Sequence, residues 1–168
     1  MIFIFLDIDG VLSTLTESME STKDFWIINR WARDLGVLYS FNEGCVDIFN
    51  DITSQFECEI ILSSDWKKKR SLKDLDIIFK ENNVTKSPVD KTKDLRDEFN
   101  NFEATRAMEI MYFINENNIK DFIILDDLDL EKLLPPRILD RFFKTPFDLG
   151  ISEPGMKEKI IERMKLFK

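Results

Sequence analysis

Three apolar runs mark the chain, and each stops abruptly on polar residues. "IFIFLDI" (2–8), "CEIILSS" (58–64) and "KDFIILDDLDL" (120–130) lack the alternation of a strand with one wet face. Continuous Ile, Leu and Phe predict strands covered on both sides, as in the interior of a parallel sheet. "RFFKTPF" (141–147), closed by Pro146, predicts a short outer strand. The stretch 83–102 predicts only a weak strand near Val84 followed by a flexible loop.

Between these runs the apolar spacing changes from continuous to helical. Val46, Phe49, Ile52 and Phe56 give 43–56 an inner face, and Leu72, Leu75, Ile78 and Phe79 do the same for 65–82. Residues 103–118 predict a third helix stopped by Asn residues, and 152–168 a last one capped by Ser152. Strands separated by helices imply an α/β fold, a three-layer Rossmann-like parallel sheet with helices on both faces. Ligands bind such sheets beyond the carboxyl ends of the strands. No repeat or linker divides the chain, so 1–168 reads as a single domain with a short insertion at about 13–42.

Two strand ends carry acids. Asp-x-Asp occurs three times, at 7–9, 74–76 and 127–129. The copy at 74–76 falls within a helical pattern and reads as a solvated face. Asp7 and Asp9 follow a buried strand and precede Gly10, which suits a sharp turn, while Asp126 and Asp127 close another apolar run. Carboxylates at the ends of core strands are costly unless paired, hydrogen-bonded or bound to a cation. Two such ends in one parallel sheet form an oxygen cage suited to Mg2+.

Composition narrows the chemistry further. The 168 residues include no histidine, which removes Ser-His-Asp and Cys-His nucleophiles, His-ligated zinc and HExxH sites. Acid–base work then falls to carboxylates, Lys, Tyr or Cys. The two cysteines, Cys45 and Cys58, form neither a metal pair nor a disulfide framework and read as small buried thiols. A net charge of −8 argues against a broad nucleic-acid-binding surface. It leaves room for a local basic patch such as "WKKKR" (66–70), which is either a solvated face or a contact for further phosphates. No apolar run reaches the ~20 residues of a membrane span, and the N-terminus lacks a signal-peptide pattern. The expected compartment is the cytoplasm.

"FLDIDGVL", "IILSS", Arg106 in "TRAMEI" and "FIILDD" occur in the order of the four motifs of the haloacid dehalogenase-like hydrolases, and the chain resembles that family over nearly its whole length. The resemblance implies a Mg2+-dependent phosphatase. Asp7 would be the nucleophile and Asp9 the general acid and base. Ser63 would bind a phosphoryl oxygen, and Arg106 would hold the charge of Asp7 and the phosphoryl group. Lys86, Lys91, Lys93 and Lys120 compete for the role of Arg106. The implied metal set is Asp7, the Asp9 backbone carbonyl and Asp126, with Asp127 orienting bound water. Retention of Asp9 favours phosphomonoester hydrolysis, or phosphoryl transfer between alcohols, over dehalogenase or ATPase chemistry, and hydrolysis is the expectation.

The insertion is too small for a full cap. Its Phe25, Trp26, Trp31, Tyr39 and Phe41 either pack it onto the core or offer a stacking platform for a nucleobase. "SSDWKKK" resembles the small phosphatase domains of phage and bacterial nucleic-acid-repair proteins, implying Ser64 and Lys67 as substrate-binding residues. Those domains usually carry Arg where this chain has Lys67. The expected substrates are nucleotides or nucleic-acid 3′-phosphate ends. A sugar or cofactor phosphate, or a catalytically silent binding role, are the alternatives.

Overall fold

The computed structural model describes residues 1–14, 41–68, 70–95 and 101–167. Strand β1 (Ile2–Leu6) forms the centre of a sheet, flanked by β2 (Cys58–Leu62) and β4 (Phe122–Asp126). Ile4 sits level with Ile60 on one side and Ile123 on the other. The edges are β3 (Pro88–Lys91) and β5 (Phe142–Lys144), short strands that offer little to an intruding chain. All pairings are parallel, and the strand order is β3-β2-β1-β4-β5.

Both faces of the sheet are covered, which explains the unbroken apolar runs. Ile4, Leu6, Ile60, Leu62, Ile123 and Leu125 point to one side. There they meet α1 (Glu43–Ser54), α2 (Leu72–Glu81) and α4 (Met156–Met164) through Phe49, Leu75, Phe79 and Ile160. Phe5, Ile61, Phe122 and Ile124 point to the other, against Ala107, Ile110 and Phe113 of α3 (Phe102–Glu116). Phe5 meets Phe113 and Phe122 edge-on, at 5.7 and 5.9 Å between centroids. Cys45 and Cys58 are both buried free thiols. Burial pushes the Cys58 thiol up, with Lys86 opposing. Among the described residues no helix is long and apolar enough to cross a membrane.

Several predicted boundaries move for local reasons. The helix expected over 65–82 is a 3-10 turn at Asp65–Lys68 followed by α2. Ser71 accepts from the Asp74 N–H while Asp74 accepts from the Ser71 N–H, and this capping box starts the helix late. The last helix begins at Met156 rather than at 152, after Gly155 at φ 83°. Ser152 does not cap it and instead donates to the Leu149 carbonyl. Val84 is not in a strand. It is buried in the turn after α2, its N–H bonded to Phe79 O, and the strand comes later at β3. The runs at 58–64 and 120–130 are strand only as far as Leu62 and from Phe122 to Asp126.

Phe25, Trp26, Trp31 and Tyr39 lie outside the described residues. The root of that segment is held by Asn42, whose N–H bonds Leu12 O and whose amide bonds Thr14 Oγ1 at 3.0 Å. Phe41 is packed into the core, 5.5 Å from the Phe79 ring and 5.8 Å from that of Trp66.

Candidate active site

The sheet ladder runs one residue past the strands and fixes what stands there. The Asp7 N–H bonds Leu125 O, the Ser63 N–H bonds Leu6 O, and the Thr145 N–H bonds Asp126 O, all at 2.9–3.0 Å. Asp7, Ser63 and Asp126 are thus held in a row at the carboxyl edge, at the point where strand order reverses. Carboxylate oxygens of Asp7, Asp126 and Asp127 lie within 4.8 Å of one another. Asp7 and Asp126 are buried, and Asp127 is half-buried.

The loop after β1 is shaped to admit Asp127. Gly10 has φ 74°, and a Cβ there would lie 2.6 Å from Asp127 Cβ. Any larger residue would therefore be strained and would also displace that carboxylate. The buried Thr145 donates its hydroxyl to Gly10 O at 2.7 Å, tying the end of β5 to this loop. The Ile8 N–H donates to Asp7 Oδ1 at 2.8 Å, and the Leu128 N–H to Asp126 Oδ1 at 3.0 Å.

Arg106, 3% exposed, reaches the cluster from α3. Its Nη1 stands 2.8 Å from Asp126 Oδ2 and 3.2 Å from Asp7 Oδ2. Burial works against its charge, but Asp7 and Asp126 outweigh it and hold the guanidinium above its ordinary pKa. One guanidinium does not balance three carboxylates. Burial first, then Asp7, pushes Asp126 up to about 7 despite Arg106. The same two causes push Asp127 up to about 6. Clustered oxygen donors with surplus negative charge are the donor set of a hard divalent cation, so these residues fit one.

Three of the four competing lysines are engaged elsewhere, and the fourth lies elsewhere. Lys86 bonds Phe56 O, Lys91 bonds the carbonyls of Lys67 and Arg70, and Lys93 pairs with Glu116. Lys120 lines a depression with Phe122 and Arg141, at the start of β4 and thus the far end of that strand from Asp126.

Ser63 is fully buried, and among the described residues its hydroxyl has no hydrogen-bond partner. A buried hydroxyl aimed at nothing is costly unless a ligand supplies the missing bond. Ser64 is also buried, its hydroxyl accepting from the Trp66 N–H at 3.4 Å. Asp9 is exposed, and its Oδ2 accepts from the Trp66 indole at 3.0 Å.

The basic run divides. Lys68 pairs with Asp65, Arg70 stacks over Trp66 at 4.7 Å, and Lys67 turns inward. Lys67 is 4% exposed and its ammonium bonds Glu109 and Thr92 Oγ1, so it is not on a solvated face. Burial pushes its pKa down, with Glu109 opposing. Trp66 falls in the basic run "WKKKR", but its contact with Asp9 does not stand out in the sequence, and neither do Glu109 and Thr145. Glu109 was the most accessible of them, being an acid at an inward position of α3, three residues beyond Arg106.

A parallel sheet of this order, with acids from β1 and β4 meeting beside a buried serine after β2, defines the haloacid dehalogenase class of α/β domain. Over residues 3–156 the chain matches, and belongs to, the family described as the HAD domain in Swiss Army Knife RNA repair proteins. No curated protein and no solved structure matches it.

Proposed function

We propose that this chain is a Mg2+-dependent phosphomonoester phosphatase working through an aspartyl-phosphate on nucleotides or nucleic-acid 3′-phosphate ends. The observation that carries the reading is the convergence of Asp7, Asp126 and Asp127 within 4.8 Å around Arg106. Asp7, Asp126 and Asp127, with the Asp9 backbone carbonyl, would hold the cation. When bound, it supplies the positive charge that lets a carboxylate approach a phosphate.

The protein groups divide the remaining work. Ser63 donates its free hydroxyl to a phosphoryl oxygen, and Arg106, 3.2 Å from Asp7, offsets phosphoryl charge. A carboxylate oxygen of Asp7 attacks phosphorus as the bond to the leaving alkoxide breaks, and the leaving-group oxygen takes the proton of Asp9. Asp9, now ionised, takes a proton from water, which attacks phosphorus and breaks the bond to Asp7. The products are the alcohol and inorganic phosphate, and Asp9 is protonated again. With no histidine in the chain, the carboxylate of Asp9 fills this role.

The preference for nucleic-acid ends is supported by the repair context in the family's description and by the charge of −8, which suits recognition of an end over a long backbone. The test compares kcat/KM for 3′-phosphorylated oligonucleotides, 3′-mononucleotides and sugar phosphates, at fixed salt, with Mg2+ and with EDTA. Nucleotidic substrates should lead, and EDTA should abolish turnover. Equal rates on sugar phosphates overturn the substrate class, and failure to hydrolyse even p-nitrophenyl phosphate overturns the enzyme.

A further inference from the structure

We propose that Trp66 is the positioning residue that aims the Asp9 carboxyl and selects which of its oxygens delivers the proton to the leaving group. The inference rests on the assignment of Asp9 as general acid. It starts from one contact, the indole Nε1–H donating to Asp9 Oδ2 at 3.0 Å. An indole N–H only donates, so the oxygen it faces must offer a lone pair. When Asp9 is protonated, its carbonyl oxygen is the better acceptor, so the indole favours that oxygen at Oδ2 and biases the proton toward Oδ1. The bond also fixes the rotation of a carboxyl that is itself exposed.

The indole is well placed to impose this because it cannot move easily. Trp66 is 5% exposed. The Phe41 ring lies 5.8 Å from it and the Arg70 guanidinium 4.7 Å over it. Its backbone N–H is held by Ser64 Oγ, and its neighbour Lys67 is anchored in the core by Glu109 and Thr92. A rigid donor on an exposed acid is the arrangement that general acid catalysis rewards, since the proton must lie in line with the breaking bond. The competing account is that Asp9 merely satisfies a buried indole N–H.

The two accounts differ in their dependence on the leaving group. p-Nitrophenolate departs with little need of a proton, whereas a ribose 3′-alkoxide needs one. The ratio of kcat/KM for p-nitrophenyl phosphate to that for a 3′-mononucleotide isolates the acid's contribution to phosphoryl transfer. The ratio does not depend on what fraction of a preparation is folded. Trp66→Phe keeps an aromatic ring between Phe41 and Arg70 and removes the N–H. It should raise the ratio about tenfold, and Asp9→Asn should raise it about 100-fold or more. In the double variant the ratio should match that of Asp9→Asn alone, because Trp66 acts only through Asp9. A ratio unchanged in Trp66→Phe but raised in Asp9→Asn overturns the role of Trp66 and leaves the acid assignment standing. A ratio unchanged in Asp9→Asn removes the acid assignment itself. A double variant with a ratio well above that of Asp9→Asn means that Trp66 acts by another route, and also overturns the proposal.

Discussion

Arg106 and Glu109 lie one turn apart on α3, both all but sealed from solvent, yet they belong to opposite kinds of electrostatic neighbourhood. Around Glu109 the charges are matched, with Arg106 Nε itself 3.9 Å away as the point where the two neighbourhoods touch. Its carboxylate bonds the Lys67 ammonium and also accepts the Leu95 N–H at 3.0 Å. Around Arg106 they are not: Asp7, Asp126 and Asp127 share one guanidinium, and two of these acids are pushed far above their ordinary range. A matched buried pair can exist for the fold alone. An unmatched cluster persists only if something outside the chain completes it, and the orphaned hydroxyl of Ser63 sits at the same edge.

This contrast predicts opposite responses to losing a charge. Asp7→Asn should lower kcat by at least about 10³-fold, because an amide is no nucleophile for phosphorus. The same change removes a charge from an overloaded cluster, and the Asn side-chain oxygen can still accept the Ile8 N–H. Its Tm in EDTA should therefore not fall. Retention of full turnover would falsify the assignment of Asp7, and a collapse in Tm would mean the cluster is structural after all.

Glu109→Gln should behave in the reverse sense. It strands the Lys67 ammonium in the core and should cost about 3–5 kcal/mol in urea unfolding. Replacing both partners together, as in Lys67→Met with Glu109→Leu, removes both buried charges and should recover most of that loss. A single-variant cost below about 1 kcal/mol would make the pair an incidental contact and erase the contrast with Arg106.

The acidic strand ends were legible because they are written in one dimension: an apolar run, an abrupt pair of acids, a turn glycine. Ser63 and Arg106 were legible in the same way, as a hydroxyl at a strand end and a basic residue one helix before the second acidic end. The matched pair was hidden. Lys67 sits in a basic run that reads as a solvated face or a phosphate contact, and its partner Glu109 lies 42 residues away. Trp66 and Asp9 are 57 residues apart, and Thr145 and Gly10 are 135 apart. Such pairings become visible only once the sheet brings its carboxyl ends together. The break between Lys68 and Leu72 was missed for another reason: helical apolar spacing continues through it, while the Ser71–Asp74 capping box quietly overrides it.

The smallest expected effect bears on how the surplus charge is completed. Burial and the neighbouring Asp7 push Asp126 up to about 7 and Asp127 up to about 6, well above the ordinary carboxylate value of 3.8. Between those limits the folded chain binds more protons at these sites than the unfolded chain does. Their contribution to stability is therefore greatest below about pH 4 and is lost as pH rises through 6 to 7. Mg2+ competes for the same oxygens and needs them deprotonated. The rise in Tm on adding Mg2+ should thus be slight at pH 5 and grow steadily to pH 7.5, with proton release on binding greatest near pH 6. Asp126→Asn should flatten that dependence. A Mg2+ shift of constant size across this range would mean that the cation, if bound, does not sit among these carboxylates, and the unmatched cluster would need another completing partner.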